Sequence, residues 1–209
     1  VRVDILVASF GFDIDFVVRR LGVKKYSEIV LLAIRTEGFS RVEKSYFALA
    51  HICATAKIGC KLVPLQLSGL IRSIYSILLE KLNMSSDTQI DLYLTGGPRV
   101  LVISSLLASL LLPDVLAERV SIVVEGEGFD YSWSTKTDRL IALLHLDRRS
   151  REVLMTVATL GKATLSEVSS KTNIPKATAY RRLKELEERK IICQQGELYE
   201  LCEDFKYIL

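Results

Sequence analysis

Gln89-Ile90-Asp91-Leu92-Tyr93-Leu94 runs directly into Thr95-Gly96-Gly97-Pro98-Arg99, and then into Val100–Leu112, an apolar stretch interrupted only by Ser104, Ser105, Ala108 and Ser109. The first segment is alternating and β-prone, and the last reads as a buried helix. The glycine loop therefore leaves the carboxyl end of a strand and opens a helix. Thr95 is a candidate N-cap, and Pro98 suits a first helical turn, where its missing N–H costs nothing. Gly96 and Gly97 carry no Cβ to hold a ligand away from their amides. Such amides, beside the positive end of a helix, attract anions. Arg99 adds a permanently charged planar fork suited to phosphate. Taken alone, the loop fits either an anion site or a tight strand–helix turn with a surface arginine.

The same alternation of strand and helix fills the upstream chain. Val3–Ser9, Glu28–Ile34 and Gly59–Leu67 read as strands. Helices are expected around Phe16, Val17 and Leu21, over Arg41–Lys57 with Tyr46, Leu49, Ala50 and Cys53 on one face, and over Gly69–Leu82. Continuous apolar strands alternating with helices predict a doubly wound parallel α/β sheet covered on both faces. Past Pro113 the pattern changes. Arg119–Val124 and Phe129–Ser134 are separated by Glu125–Gly128, too short a connection for a parallel crossover, so a terminal antiparallel β-hairpin is expected. Lys136–Leu146 reads as a connecting helix, and the charged run Asp147–Glu152 as a domain junction.

The remainder reads as helix Ser150–Leu160, a stop at Gly161, a Thr164/Glu167 capping box opening Leu165–Thr172, and a turn at Asn173-Ile174-Pro175. Helix Lys176–Lys190, with Ala179, Leu183 and Leu186 inward, precedes a hairpin of Ile191–Gln195 and Leu198–Leu201. That order defines a winged helix-turn-helix. The expected division is a ligand-binding domain over 1–134, a connector over 135–147 and a DNA-binding domain over 148–209. On the third helix, Lys176, Thr178, Tyr180, Arg181, Arg182 and Lys184 lie on or beside the face away from the buried stripe, placed to meet double-stranded DNA. The wing tip Gln194-Gln195-Gly196 is placed to reach the adjacent backbone or minor groove. Glu185, Glu187 and Glu188 confine positive charge to half the helix. Dimerisation or protein contact is the other use of such a domain.

Composition agrees with this division. Of 209 residues 49% are apolar, enough for well-buried cores. Residues 1–147 balance 16 Lys and Arg against 16 Asp and Glu, whereas 148–209 carry 12 against 9, so the whole excess lies beside the expected DNA contact. Cys53, Cys60, Cys193 and Cys202 form no C-x-x-C pair and read as buried free thiols. With His51 and His145 the only histidines, no zinc-ligand cluster follows from spacing, and no metal or cofactor is expected. No signal peptide is evident, and Val100–Leu112 is too short to span a bilayer, so a soluble cytoplasmic protein without membrane contact is expected. No G-x-G-x-x-G, no G-x-x-x-x-G-K-[ST] and no nucleophile–base set occurs, which argues against a conventional dehydrogenase, a P-loop ATPase and an enzyme generally. His51, in an apolar helix, reads as a core residue.

In a doubly wound sheet, ligands bind beyond the carboxyl ends of the strands where the strand order reverses. For an order 3-2-1-4 that crevice lies between the first and fourth strands. Gly11-Phe12-Asp13 follows one and the glycine loop follows the other, with Thr36, Glu37 and Gly38 placed to form a wall. Asp13 suits either a ribose hydroxyl or a helix start. With these motifs residues 1–134 resemble the CRISPR-associated Rossmann fold, the CARF domain. Joined to a winged helix, the whole chain resembles archaeal CARF-containing transcriptional regulators of CRISPR loci. The resemblance implies a homodimer that binds a cyclic oligoadenylate, cyclic tetra-adenylate foremost, across its two-fold axis. Carried over by motif, Gly11, Phe12, Asp13, Thr95, Gly96, Gly97 and Arg99 would line that site. Two alternatives follow: a ring nuclease that degrades the cyclic ligand, and a nucleic-acid-binding adaptor without ligand control.

Overall fold

The computed structural model describes residues 2–126, 128, 131–206 and 208–209. It divides into two compact units, Val1–Thr137 and Asp138–Leu209. The first unit alternates β1 (Val3–Ser9), α1 (Asp15–Val23), β2 (Glu28–Ile34), α2 (Phe39–Thr55), β3 (Gly59–Leu65), α3 (Leu70–Asn83), β4 (Thr88–Tyr93) and α4 (Arg99–Leu110). A short helix α5 (Asp114–Ala117) and strands β5 (Val120–Glu125) and β6 (Ser132–Lys136) complete it. The sheet order is β3-β2-β1-β4-β5-β6. Strands β1 to β5 are parallel, and β6 runs antiparallel to β5. Consecutive residues of β1 and β2 are buried because both faces of the sheet are covered. The doubly wound sheet, its reversal between β1 and β4, and the terminal hairpin are those the sequence predicts. The hairpin's second strand begins at Ser132, later than expected; Phe129 and Asp130, in the predicted strand, lie outside the described residues.

Helix α4 corrects the expectation of a buried helix. Its inward face is small and polar: Ser104, Ser105, Ala108 and Ser109, with Leu101. Val100, Ile103, Leu107 and Leu111 are instead exposed, Ile103 at 57% and Leu111 at 64%. Small residues let α4 lie close to its neighbours, and the aliphatic bulk is left on the outside.

A buried polar cluster fixes α1 against the sheet. Asp91 on β4 accepts the Tyr26 hydroxyl at 2.6 Å, Arg20 Nη2 at 2.9 Å and Lys24 Nζ at 3.0 Å. Arg20 also reaches Glu125 at 3.3 Å, and Glu125 accepts the Tyr93 hydroxyl at 2.8 Å. Burial raises the pKa of the Asp91 carboxyl, but the donors Tyr26, Arg20 and Lys24 outweigh it and hold the group below its ordinary value. Burial and the neighbouring Asp91 push the Tyr26 hydroxyl far upward. The charges of Arg20 and Lys24, nominally surface cations, thereby serve to fix the helix that follows the first loop.

The second unit contains α6 (Thr137–Leu144), α7 (Arg148–Leu160), β7 (Lys162–Thr164), α8 (Leu165–Thr172), α9 (Lys176–Glu188), β8 (Ile192–Gln195) and β9 (Leu198–Leu201), with a final 3₁₀ turn, Glu203–Phe205. Val153, Val157, Ala163, Val168, Ala179, Leu183 and Phe205 form its core. The expected connector over 135–147 needs correction. Thr135 and Lys136 finish β6, while Leu140, Ala142 and Leu143 of α6 pack on the second core together with Leu146. The charged run at 147–152 starts α7, where Asp147 Oδ1 accepts the Ser150 N–H at 2.8 Å. The Thr164/Glu167 capping box is formed, and Asn173 turns the chain at φ 54°. The strand β7 was not foreseen: three residues are too few to show a period. It makes the wing a three-stranded sheet, β7-β9-β8.

The cysteines divide. Cys193 and Cys202 form a disulfide, contrary to the expectation of four free thiols. The reason is register: Cys193 faces Glu200 across the hairpin, so Cys202, two residues on, falls diagonally beside it. Cys53 and Cys60 are free, and burial raises both thiols, Cys60 to about 12.

Candidate functional site

The loops after β1 and β4 meet where the strand order reverses. Gly97 sits at φ 82°, and a Cβ there would lie 3.0 Å from the Phe10 nitrogen and the Ser9 carbonyl carbon. A Cβ on Gly11 would stand 3.4 Å from Gly97 Cα, and one on Gly96 would meet Ser9 O and Phe16 at 3.4 Å. Ser9 Oγ donates to the Gly96 carbonyl at 2.5 Å. The glycines therefore serve first to let one loop lie on the other.

Beside this seam opens a cavity of about 440 Å³. Gly11, Phe12 and Asp13 line one side, Gly97 and Pro98 another, and Thr36 and Gly38 of the loop after β2 a third. Arg41 and Val42 of α2 complete it; neither was singled out in the sequence, where α2 offered only its apolar period. The Arg41 guanidinium lies 5.8 Å from the centroid of the Phe12 ring. Phe12 is 71% exposed, and its carbonyl accepts the Ser45 hydroxyl at 2.6 Å, which ties the loop to α2. Asp13 Oδ1 accepts the Asp15 N–H at 2.9 Å, so one carboxylate oxygen serves the start of α1.

Three expected site residues stand outside the cavity lining: Thr95, Gly96 and Arg99. Thr95 does not cap α4; its hydroxyl accepts the Glu125 N–H at 2.8 Å, and Pro98 holds the N-cap position without a side-chain bond. Arg99 is exposed and makes no ion pair among the described residues. At the first position of α4 it shares a face with Ile103 and Leu107, four and eight residues on. That stripe borders a groove of about 760 Å³ walled by Leu67, Leu70, Ile71, Tyr75, Val100 and Leu111. His51 is exposed on α2 rather than in the core. Among the described residues no group of three His, Cys, Asp or Glu side chains is arranged to hold a metal. No helix among them is long and apolar enough to cross a membrane.

In the second unit, α9 buries Ala179, Leu183 and Leu186 as expected. Lys176, Tyr180 and Arg181 are exposed and Thr178 half-buried, so these four stand on an accessible surface. Arg182 does not join them. Its guanidinium bridges Asp147 at 2.7 Å and Glu185 at 2.9 Å, which clamps α9 to the start of α7. The backbone hydrogen bond from Ser150, with the charge of Arg182, holds the Asp147 carboxyl below its ordinary value. Lys184 bonds Glu187 at 2.7 Å and Gln194 Oε1 at 2.8 Å, tying α9 to the wing. Gly196 turns the wing tip at φ 62°.

The first unit is thus a Rossmann-like domain with loops gathered at its switch point, and the second a winged helix-turn-helix. Residues 4–136 match the Csa3 CRISPR-associated Rossmann-like domain, and the chain belongs to that family. Residues 148–196 match the IclR helix-turn-helix domain. No curated protein matches the chain. Among solved structures, Enterococcus italicus Csm6 bound to cyclic hexa-2'-fluoro-hexa-dAMP superposes with a TM-score of 0.55 at 8% identity. That match covers 91% of this chain and 55% of Csm6. Can2 from Sulfobacillus thermosulfidooxidans, in complex with cyclic tetra-adenylate, gives 0.41 at 13% identity over 97% of this chain and 62% of that one. Protein VC1899 from Vibrio cholerae gives 0.44 at 13% identity, over 97% of this chain and 63% of its own. The chain spans about half to two thirds of these relatives' lengths.

Proposed function

We propose that this protein is a ligand-responsive, DNA-binding transcriptional regulator of CRISPR loci. Its first unit senses a cyclic oligoadenylate, cyclic tetra-adenylate foremost, and its second binds promoter DNA. The observation that carries the reading is the 440 Å³ cavity between the loops after β1, β2 and β4, at the switch point of a Csa3-type domain whose chain continues into a helix-turn-helix. Csm6, of like fold, is described with a cyclic oligonucleotide.

The working form is a homodimer, in which the exposed aliphatic stripe of α4 covers its own copy. Contiguous large apolar side chains on one helix face are what an isologous interface buries. Arg99 begins that stripe, so a ligand shared across the two-fold axis would meet Arg99 from both copies as well as the two loop cavities. On this reading the protein acts by binding rather than by catalysis.

Calorimetric titration with cyclic tetra-adenylate, and with the hexa-adenylate as comparison, tests the ligand. Arg99→Ala is expected to weaken binding by about ten- to a hundredfold, the effect of losing one charge-assisted hydrogen bond of roughly 1.5–3 kcal/mol. Unchanged affinity removes Arg99 from the site. Conversion of the ring to linear product during the titration favours the nuclease reading.

A further inference from the structure

We propose that the cavity is a base pocket and that Arg41 closes it over Phe12 as a stacking clamp for a purine. The assignment rests on the ligand reading above and concerns the base, whereas Arg99 was assigned to the phosphate. A phosphate needs amides and cations, and gains nothing from aliphatic walls. This cavity has such walls, Ile34, Val42 and Pro98, with an aromatic ring and a planar cation at the rim. Flat apolar surface flanked by an aromatic face and a guanidinium is what a nucleobase stacks on.

The spacing fits a clamp that opens. Arg41 lies 5.8 Å from the Phe12 centroid, within reach of the ring's quadrupole but wider than the about 3.5–4.0 Å of direct contact. A base held between the two takes two such contacts, about 7–8 Å. Arg41 is exposed, on a long side chain, and makes no ion pair among the described residues, so it can move outward by the difference. Ser45 holds the Phe12 carbonyl and so anchors the backbone that carries the ring, and the ring turns on only two side-chain torsions, fewer than the long arginine chain has. The ring is thus the less mobile plate and the guanidinium the more mobile one. Planarity matters as much as charge, and a lysine would not replace Arg41.

The test titrates the full chain with cyclic tetra-adenylate and with an analogue bearing 2-aminopurine in place of one adenine, whose fluorescence is quenched on stacking. For the wild type, heat of binding and quenching are both expected. Phe12→Leu and Arg41→Lys should each lose affinity by about five- to a hundredfold, together with the quench. Both side chains are exposed, so the melting midpoint should stay unchanged. Variants that bind within twofold of wild type with the quench intact overturn the clamp. Weaker binding by Phe12→Leu but not by Arg41→Lys overturns the role of the guanidinium. A wild type that shows neither heat nor quench overturns the ligand reading itself, and this assignment with it.

Discussion

Arg181 and Arg182 are adjacent, identical in chemistry and placed in different environments. Arg181 is exposed on α9, while the Arg182 side chain is 21% exposed and held by two carboxylates. Arg181→Ala is therefore expected to weaken promoter binding measurably with little change in the urea midpoint. Removing one phosphate-binding cation should flatten the log–log salt dependence by about 0.9 for B-DNA. Arg182→Ala should instead lower the urea midpoint of the second unit, since it frees α9 from Asp147 and Glu185. Gel-shift titration over a salt series and urea denaturation separate the two. Arg182 shifting DNA affinity with stability untouched would return it to the interface. The helical period placed both arginines beside the outward face, but Asp147, 35 residues away in sequence, leaves no local trace there. The same holds for Arg41, whose significance comes from Phe12 approaching across the fold. Gly11 and Gly97 were legible as special residues, though their first duty is loop-on-loop packing rather than contact with a ligand.

At the scale of elements, most of the fold was written in local pattern. Apolar runs gave β1 and β2, an alternating run gave β4, short connections gave the two hairpins, and the capping box gave α8. Hydrophobicity alone could not say which side of α4 faces inward, because a run rich in leucine looks alike whether its bulk meets its own sheet or a partner. The structure turns Val100, Ile103, Leu107 and Leu111 outward. Leu107→Asp, alone or with Ile103→Asp, should shift the protein to monomer in analytical ultracentrifugation without unfolding it, and weaken any ligand that spans the axis. A dimer that survives both substitutions places the interface elsewhere. Register, invisible in sequence, also joins Cys193 to Cys202. The pair closes a small loop with sequence separation 9, so its removal should cost the second unit about 2–3 kcal/mol. Comparing the urea midpoint of the oxidised wild type with those of Cys193→Ser and Cys202→Ser, and with that of the wild type in a dithiol reductant, checks this. Identical midpoints would show that the pair carries no stability.

For the whole molecule, the question is whether ligand and DNA act on one equilibrium. The chain supplies a physical route. The Thr95 hydroxyl in the glycine loop accepts the backbone N–H of Glu125, the last residue of β5. Strand β5 pairs with β6, and the last residue of β6, Lys136, is followed directly by Thr137, the first residue of α6. Helix α6 packs on the core that carries α9. If ligand and DNA each favour one arrangement of the same dimer, their affinities are linked, and linked equally in both directions. Couplings of this kind are roughly 1–3 kcal/mol, or about 5- to 150-fold. A thermodynamic box reads the linkage: DNA affinity with and without saturating cyclic tetra-adenylate, and ligand affinity with and without operator. The sign follows from which arrangement matches the operator's half-site spacing, and the box reports it. The two ratios should agree with each other and differ from one. A Thr95→Val variant, which removes the acceptor for Glu125, should bring the coupling toward one while changing each separate affinity less. Ratios of one in the wild type would mean that the units act independently. The regulator would then give way to an adaptor that holds nucleic acid without answering to the ligand.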